Sequence, residues 1–225
     1  MKYIVVIPAR GGSKRLPRKN LLPLAGKPLI AHSIAYAKQG LPGCEVIVSS
    51  DSEEILAIGQ ENGALGFKRP EELSGDFVTT AAVLQHVGNT ALEQGIDFDF
   101  MVLLQATNPL RPKNMLRQAI EIIEKDGYDS LMTVSRSTKK LGKIIDNRFV
   151  PWNYKFGMRS QDLEPLYYEN GLLYITAKDQ ILQGKIMGER MFPMVIDHIF
   201  GDVDIDTKDD FLYAEFLIQS VKDDE

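Results

Sequence analysis

Cysteine is almost absent from this 225-residue sequence, which contains only Cys44. An internal disulfide and a cysteine-based zinc cluster are therefore excluded. No apolar stretch approaches the ~18 residues that a membrane-spanning helix needs, and Pro8 and Arg10 end the first apolar run far short of a signal peptide. Basic side chains are outnumbered by acidic ones, 26 to 31, which argues against nucleic acid as a partner. We expect a cytoplasmic protein that binds neither nucleic acid nor membrane.

Several common catalytic signatures are also missing. The sequence has no G-x-x-x-x-G-K-[ST] loop, no G-x-G-x-x-G fingerprint, no G-x-S-x-G elbow and no HExxH pair. His32, His86 and His198 each lack a His or Cys partner at ligand spacing, so we interpret them as structural. We therefore predict neither a covalent intermediate nor zinc chemistry.

The most informative stretch runs from residue 4 to residue 20. Its β-branched start, residues 4–7, predicts a strand buried on both faces. Five cations follow: Arg10, Lys14, Arg15, Arg18 and Lys19. A cationic loop on an acidic protein indicates an anion site, and Gly11 and Gly12 permit backbone angles closed to other residues and a close approach of N–H groups to phosphate. The alternative is a solvated surface loop with a simple Gly-Gly turn.

Predicted strands and helices alternate through residue ~134, which favours an α/β fold with a doubly wound, mostly parallel sheet. Two of the helices are predicted to begin at Asp51, as the N-cap of a capping box, and just after Asp76. Ligands of such sheets bind beyond the carboxyl ends of the strands. We expect the first loop, residues 49–51, Arg69 and residues 105–111 to meet there. Arg111 either holds an anion or pairs with an acid at a helix start.

A second constellation, Asp202-Val-Asp204-Ile-Asp206, lies near the end of the sequence. Alternate side chains of an extended segment point the same way, which places the three carboxylates on one edge. Clustered carboxylates repel one another, and Mg²⁺ accepts one or two of them together with phosphate and water. With the cationic loop, this segment predicts a phosphate-transferring metal site. The alternative is an acidic strand end that feeds a helix capped by an Asp.

Residues 136–170 depart from the alternating pattern. A hairpin is predicted over residues 143–150, with Asp146 and Asn147 in its turn. Aromatic and apolar side chains then alternate with other residues: Trp152, Tyr154, Phe156 and Met158. This excursion either packs on its own sheet or exposes an apolar surface to a partner.

Residues 7–20, IPARGGSKRLPRKN, resemble the N-terminal signature of the acylneuraminate cytidylyltransferases, also called CMP-sialic acid synthetases. "LLQATNPLR" resembles that family's Leu-Gln-x-Thr-Ser-Pro-Leu-Arg, from which Ala106 and Asn108 depart. "RPEEL" and "YYENGLLYIT" resemble two further segments, and "DIDT" resembles the C-terminal metal motif. Together these matches span nearly the whole sequence.

The resemblance implies a fold of the nucleotide-diphospho-sugar transferase type, as a single domain over residues 1–225. It makes residues 136–170 a dimerisation arm that reaches over the active site of the partner in a homodimer. It also implies transfer of CMP from CTP to the anomeric hydroxyl of a nine-carbon 2-keto sugar acid, with Mg²⁺ as cofactor and pyrophosphate as product. The alternatives are a Mg²⁺-dependent glycosyltransferase, since Asp-x-Asp occurs twice, an enzyme like CMP-Kdo synthetase, and an inactive module that binds nucleotide-sugars.

The resemblance also assigns residues. Arg10, Lys19, Asp204 and Asp206 are the predicted catalytic residues, the two aspartates as metal ligands. The predicted nucleotide site comprises Ala9, Arg10, Gly11, Gly12, Ser13, Lys19, Asn20, Arg69 and Thr80. The predicted sugar-acid site comprises Gln105, Thr107, Lys143, Arg159, Asn170 and Tyr174. Lys143 and Arg159 are expected to hold the sugar carboxylate, from their place in the arm.

Overall fold

A seven-stranded sheet forms the centre of the computed structural model, which describes residues 1–222. The last three residues of the predicted domain lie outside this range. The strands are β1 (Tyr3–Pro8), β2 (Pro23–Leu24), β3 (Lys27–Pro28), β4 (Glu45–Ser50), β5 (Leu65–Lys68), β6 (Phe100–Leu103), β7 (Ser130–Ser137), β8 (Gly142–Ile145), β9 (Arg148–Pro151), β10 (Leu166–Ala177) and β11 (Met191–Val195). The α-helices are α1 (Leu29–Gly40), α2 (Glu53–Glu61), α3 (Thr80–Glu93), α4 (Met115–Asp126), α5 (Lys178–Leu182) and α6 (Lys208–Lys222).

The strand order in the sheet is β11-β7-β10-β6-β1-β4-β5. Only β10 runs antiparallel to its neighbours, β6 and β7, and every other pairing in the sheet is parallel. The predicted doubly wound, mostly parallel sheet is confirmed.

Side chains of β1 alternate between the two helical layers. Val5 and Ile7 pack in the cluster of α1, α2 and α4, whereas Ile4 and Val6 pack in the cluster of α3 and α5. All four are buried, which explains why this strand is a continuous apolar run instead of an alternating one. A third cluster joins α6 to residues 203–205 and to β2, so the last helix supports the acidic segment.

Two predicted helix starts are wrong by one and by three residues. The N-cap of α2 is Ser52, whose side chain accepts a hydrogen bond from the N–H of Ile55. The N-cap of α3 is Thr79, whose hydroxyl accepts from the N–H of Ala82. Asp51 and Asp76 bind elsewhere, as described below.

The predicted hairpin is confirmed as β8 and β9, joined by Asp146 and Asn147 with φ values of 48° and 59°. Positive φ at both central residues suits the right-handed twist of a two-residue hairpin. The hairpin and the residues after it expose large apolar side chains, including Ile144 (79%), Trp152 (63%) and Phe156 (73%). The structure therefore favours an exposed apolar surface over a self-packed excursion. Within residues 1–222, no helix combines the length and apolarity of a membrane span.

Candidate active site

Three adjoining pockets lie where the segments after β1, β5 and β6 meet. The first, about 400 Å³, is lined mainly by the cationic loop, Thr107 and Asp206. The second, also about 400 Å³, is lined by residues of the β6 turn, of β10 and of the acidic segment. The third, about 300 Å³, lies between Arg10, Arg69 and Thr80. The sequence correctly predicted that these segments gather at one edge.

The pockets contain most of the predicted site residues. The first is lined by Ala9, Arg10, Ser13, Lys19, Asn20, Thr107 and Asp206. The second is lined by Gln105, Asn170, Tyr174 and Asp204. Gly11, Gly12, Lys143 and Arg159 line none of the three.

Each of the five loop cations is paired with a carboxylate. Arg10 and Lys14 both bind Asp76, with 2.8 Å between Arg10 Nη1 and Asp76 Oδ1. Lys19 Nζ lies 2.7 Å from Asp206 Oδ1, and Arg15 binds the other oxygen of that carboxylate. Arg18 binds Glu54 on α2. Lys19 is nearly buried, with 10% of its side chain exposed, whereas the others are open to solvent.

Asp51 fixes the start of the loop instead of capping α2. Its Oδ1 accepts a hydrogen bond of 2.8 Å from the N–H of Gly11. A Cβ on Gly11 would lie 3.0 Å from the Cβ of Ser52, so any larger residue would crowd this close approach. Neither Gly11 nor Gly12 has a φ in the left-handed region, so the prediction that special backbone angles explain the pair is wrong.

Asn20 closes the loop from the other side. Its Nδ2 donates to the carbonyl of Arg10 at 3.0 Å, which ties the end of the loop to its beginning. Its Oδ1 is buried and has no hydrogen-bond partner within the protein. A buried acceptor without a partner is costly, and this one lies in the lining of the first pocket.

The turn after β6 is held by two buried side chains. Arg111 donates to the carbonyls of Leu172 and Gln105 and to the Ser33 hydroxyl. It is buried and pairs with no acid among the described residues, so the predicted pairing with an acid is wrong, whereas the binding of an anion stays a prediction. Burial lowers the pKa of its guanidinium. Asn108 donates to the carbonyl of Val203 at 2.7 Å, and this contact joins the turn to the acidic segment.

The acidic segment keeps the predicted alternation but divides its carboxylates between pockets. Val203 and Ile205 are buried, and the N–H of Ile205 donates to the carbonyl of Thr107 at 2.8 Å. Asp204 faces the second pocket and Asp206 the first. Asp202 ends a short 3-10 turn and accepts a hydrogen bond from the Tyr168 hydroxyl.

Asp204 and Asp206 have different electrostatic surroundings. The surface of Asp204 is exposed, but the surrounding protein partly desolvates its carboxyl, and this desolvation raises the pKa of the carboxyl. The negative charge of Asp206 raises that pKa further. The Thr107 hydroxyl and Lys19 act in the opposite direction. Within residues 1–222 no cluster of three or more Asp, Glu, His or Cys side chains is arranged to hold a metal ion. The acidic segment offers Asp204 and Asp206 as candidate metal ligands.

The capping of α6 places Asp206. Asp210, the third residue of α6, accepts from the N–H groups of Asp206 and Thr207 at 3.0 and 2.7 Å. Its own N–H donates to the Thr207 hydroxyl. This reciprocal capping box begins α6 and fixes the backbone of Asp206.

In the second pocket, Asn170 and Tyr174 are held by other side chains. Asn170 accepts from the Thr133 hydroxyl at 2.6 Å and donates to the Ser135 hydroxyl at 3.0 Å. The Tyr174 hydroxyl donates to Glu169, and burial raises the pKa of this tyrosine. Gly171 has a φ of +73°, and a Cβ there would lie 3.0 Å from Asn108 Oδ1, so only glycine fits.

Arg69 and Thr80 meet in the third pocket. Arg69 is buried and donates to the carbonyl and hydroxyl oxygens of Ser49, at 2.7 and 3.3 Å. Burial lowers the pKa of its guanidinium. Thr80 is the first residue of α3 and lines the same pocket. The exposed Asp76 also lines this pocket, and the sequence analysis did not single it out as a site residue.

The predicted carboxylate-binding cations of the arm lie apart from these pockets. Lys143 is on the exposed strand β8, and Arg159 pairs with Asp162 three residues further on, at 2.8 Å. Lys139, which was not predicted, is the lysine in the lining of the second pocket.

A family model described as cytidylyltransferase matches residues 4–224. The chain belongs to the cytidylyltransferase family. It is therefore a nucleotidyltransferase, and the cationic loop and the acidic segment at the two ends of the match are both part of the family domain.

Curated relatives cover almost all of the chain. It is 36% identical to a CMP-N,N'-diacetyllegionaminic acid synthase of Legionella pneumophila, with 97% of both chains covered. It is 34% identical to a pseudaminic acid cytidylyltransferase of Campylobacter jejuni, with 96% of both covered. An N-acylneuraminate cytidylyltransferase of Streptococcus agalactiae is 36% identical over 95% of this chain, which spans 52% of that protein.

Solved structures share the fold at much lower identity. A CMP:2-keto-3-deoxy-manno-octonic acid synthetase complexed with CTP superposes with a TM-score of 0.70 at 19% identity, over 98% of this chain and 99% of that one. A 4-diphosphocytidyl-2C-methyl-D-erythritol synthase gives the same TM-score at 11% identity, over 96% and 99%.

Proposed function

We propose that this cytidylyltransferase moves CMP from CTP to the anomeric hydroxyl of a nine-carbon 2-keto sugar acid. The observation that carries the proposal is that Asp204 and Asp206, adjacent in an alternating segment, face two different pockets, one cationic and one polar. A triphosphate in the first pocket and a sugar acid in the second would meet at these carboxylates. The names of the three relatives, each an enzyme of a nine-carbon sugar acid, support this substrate class.

The proposed reaction replaces a phosphoanhydride bond of CTP with a phosphate ester bond to the sugar. The anomeric oxygen of the sugar forms a bond to the α-phosphorus, while the bond from that phosphorus to the α–β bridging oxygen breaks. Pyrophosphate leaves with the bonding electrons, and the hydroxyl proton is lost to solvent. Arg10, Ser13 and Lys19 hold the phosphates and neutralise charge, so the protein contributes positioning and electrostatic stabilisation more than acid–base chemistry.

Mg²⁺ is the proposed cofactor, with Asp204 and Asp206 as its ligands. The donor set fits, because Mg²⁺ prefers oxygen and is commonly bound by one or two carboxylates together with substrate phosphate and water. When bound, it would neutralise phosphate charge and lower the pKa of the attacking hydroxyl. Asp206 is held by Lys19 and Arg15, and these cations can turn to phosphate when the carboxylate takes a metal.

The third pocket is the proposed site of the cytosine base. Thr80 presents a small hydroxyl at the start of α3, and Arg69 lines the same pocket. Arg10 lines both this pocket and the first, so one arginine lies between the proposed positions of base and triphosphate. Gln105 and Thr107 line the route from the first pocket to the second. The cytoplasmic location predicted from the sequence stays part of the proposal.

The reaction is tested by pyrophosphate release. The enzyme is mixed with CTP, Mg²⁺ and one of N-acetylneuraminate, its deaminated analogue, legionaminate, pseudaminate or Kdo. We expect release with CTP and one nine-carbon acid, and none with ATP, GTP or UTP. Release with Kdo alone would replace the proposed substrate class. If folded protein that still binds CTP releases no pyrophosphate with any of these acids, the proposed acceptor is overturned.

We also propose a homodimer formed through the arm at residues 136–170. Large apolar side chains that are more than half exposed are costly unless a partner covers them. Sedimentation velocity should give about twice the 25.2 kDa chain mass for the wild type. Ile144→Ser combined with Phe156→Ser should shift the protein to monomer, because buried apolar anchors dominate such interfaces.

Phe216→Ser is the matched control for the arm variant. Phe216 is also an exposed phenylalanine, 62% accessible, but it lies on α6. This variant should remain a dimer. A wild-type monomer at micromolar concentration, or an arm variant that dimerises as before, would contradict the proposed role of the arm.

A further inference from the structure

Asp76 is an acidic side chain that lines the third pocket and binds two cations of the first pocket, the proposed phosphate site. Its carboxylate binds Arg10 through one oxygen and Lys14 through the other. These two hydrogen bonds outweigh desolvation, and the pKa of the Asp76 carboxyl is therefore lowered. The loop that carries Asp76 is far from the cationic loop in sequence, so the contact joins two separate segments across the mouth of the site.

The contact with Asp76 uses cations that a nucleotide phosphate would also use. Arg10 and Lys14 both line the first pocket, and Arg10 also lines the third pocket beside Asp76. A phosphate oxygen that binds both cations must take them from the Asp76 carboxylate or share them with it. Two anions on the same pair of cations repel each other, so the contacts compete.

The contacts of Asp76 with the two cations are weak enough to be replaced by contacts with phosphate. The side chains of Arg10 and Asp76 are each 38% exposed and that of Lys14 is 76% exposed. Ion pairs this open to solvent contribute little to stability and are readily replaced. The neighbouring Phe77 is fully exposed, so the segment has no apolar anchor at this position that would hold Asp76 in place.

We propose that Asp76 is an internal competitor for the triphosphate: it holds Arg10 and Lys14 in position and is displaced when phosphate binds them. It therefore lowers the affinity for CTP and for pyrophosphate, and it favours the release of pyrophosphate because it binds both cations again. This inference rests on the proposed function for the identity of the nucleotide, but its test requires only a polyphosphate.

The test measures binding of inorganic tripolyphosphate and of pyrophosphate by isothermal titration calorimetry. Asp76→Asn should bind both about threefold to tenfold more tightly than wild type, because one negative charge next to two shared cations is removed. Asp76→Glu keeps the charge and should stay near wild type. Unchanged or weaker binding by Asp76→Asn would overturn the proposal, as would the absence of tripolyphosphate binding in every variant.

Asp97→Asn is the matched control. Asp97 is also an exposed aspartate held by two cations, Lys2 and Lys178, each at 3.2 Å, and it lies near the start of β1 at the opposite end of the sheet. This variant should bind both anions as wild type does. The probes contain neither base nor sugar. If the proposed reaction fails with every sugar acid, the difference between Asp76→Asn and Asp97→Asn still decides the role of Asp76.

Discussion

Replacing Asp204 with asparagine is expected to reduce turnover by about 1000-fold or more, with the fold intact. The substitution keeps the size of the side chain and an acceptor for the Thr107 hydroxyl, but it removes one of the two charges proposed to hold Mg²⁺. Loss of a single group that stabilises charge in a transition state costs about 10²–10³ in rate, and loss of a metal ligand adds to that. The measurement is kcat at saturating CTP and sugar acid.

The same substitution should not destabilise the protein. The pKa of the Asp204 carboxyl is raised in the folded state, mainly by desolvation, so the folded protein binds this proton more tightly than the unfolded chain. Ionisation of Asp204 then costs stability as the pH rises above the unfolded-state pKa. At neutral pH the free energy of unfolding of Asp204→Asn, measured in urea, should equal or exceed that of wild type. In acid, where both states are protonated, this difference should disappear.

Asp209→Asn is the control for this experiment. Asp209 is exposed in the first turn of α6, three residues after Asp206, and it lines none of the three pockets. It should keep wild-type turnover. Near-wild-type turnover of the folded Asp204→Asn variant would mean that Asp204 is not a catalytic residue.

The pattern of β1, the cationic loop and the alternation of strands and helices predicted where the candidate site lies. A continuous run of β-branched residues is typical of a strand buried on both faces, and the side chains of Ile4 and Val5 pack against opposite helical layers. Parallel strands bring their carboxyl ends to one edge. Loops that follow β1, β4 and β6 must then meet there, however far apart they are in the sequence.

Helix caps were less predictable because two good capping residues stand close together. Asp51 and Ser52 both suit an N-cap, as do Asp76 and Thr79. In each case the aspartate is engaged by a distant group, the Gly11 N–H for Asp51 and two loop cations for Asp76. The hydroxyl residue then caps the helix. Tertiary contacts of this kind leave no local signal.

Two other features were hidden for different physical reasons. β11 was not predicted because Pro193 interrupts a five-residue run; it lies at the edge of the sheet, where a strand tolerates proline. Arg111 was predicted to hold an anion or to pair with an acid, because it lies in the turn after a strand and just before a helix start. The structure instead surrounds it with carbonyl and hydroxyl oxygens, which a sequence cannot reveal.

Lys19→Met is expected to lower kcat/KM for CTP by about 100-fold or more. Lys19 is the one nearly buried cation of the loop, and its ammonium lies 2.7 Å from Asp206. A charge in such a site is screened less by water than the exposed Arg15 or Lys14, so it contributes more to binding and to stabilising the leaving phosphates. Methionine keeps most of the volume. The measurement is initial rate against CTP concentration at saturating sugar acid, and against sugar-acid concentration at saturating CTP.

Lys27→Met provides the comparison, because Lys27 is an exposed lysine on β3, outside the lining of the three pockets. It should leave kcat/KM unchanged. An effect of Lys19→Met confined to the KM of the sugar acid would mean that the triphosphate does not lie in the first pocket. A fall in kcat with the KM for CTP unchanged would instead mean that Lys19 contacts the phosphates only in the transition state. In that case Asp206 holds the ammonium until charge develops on the leaving pyrophosphate.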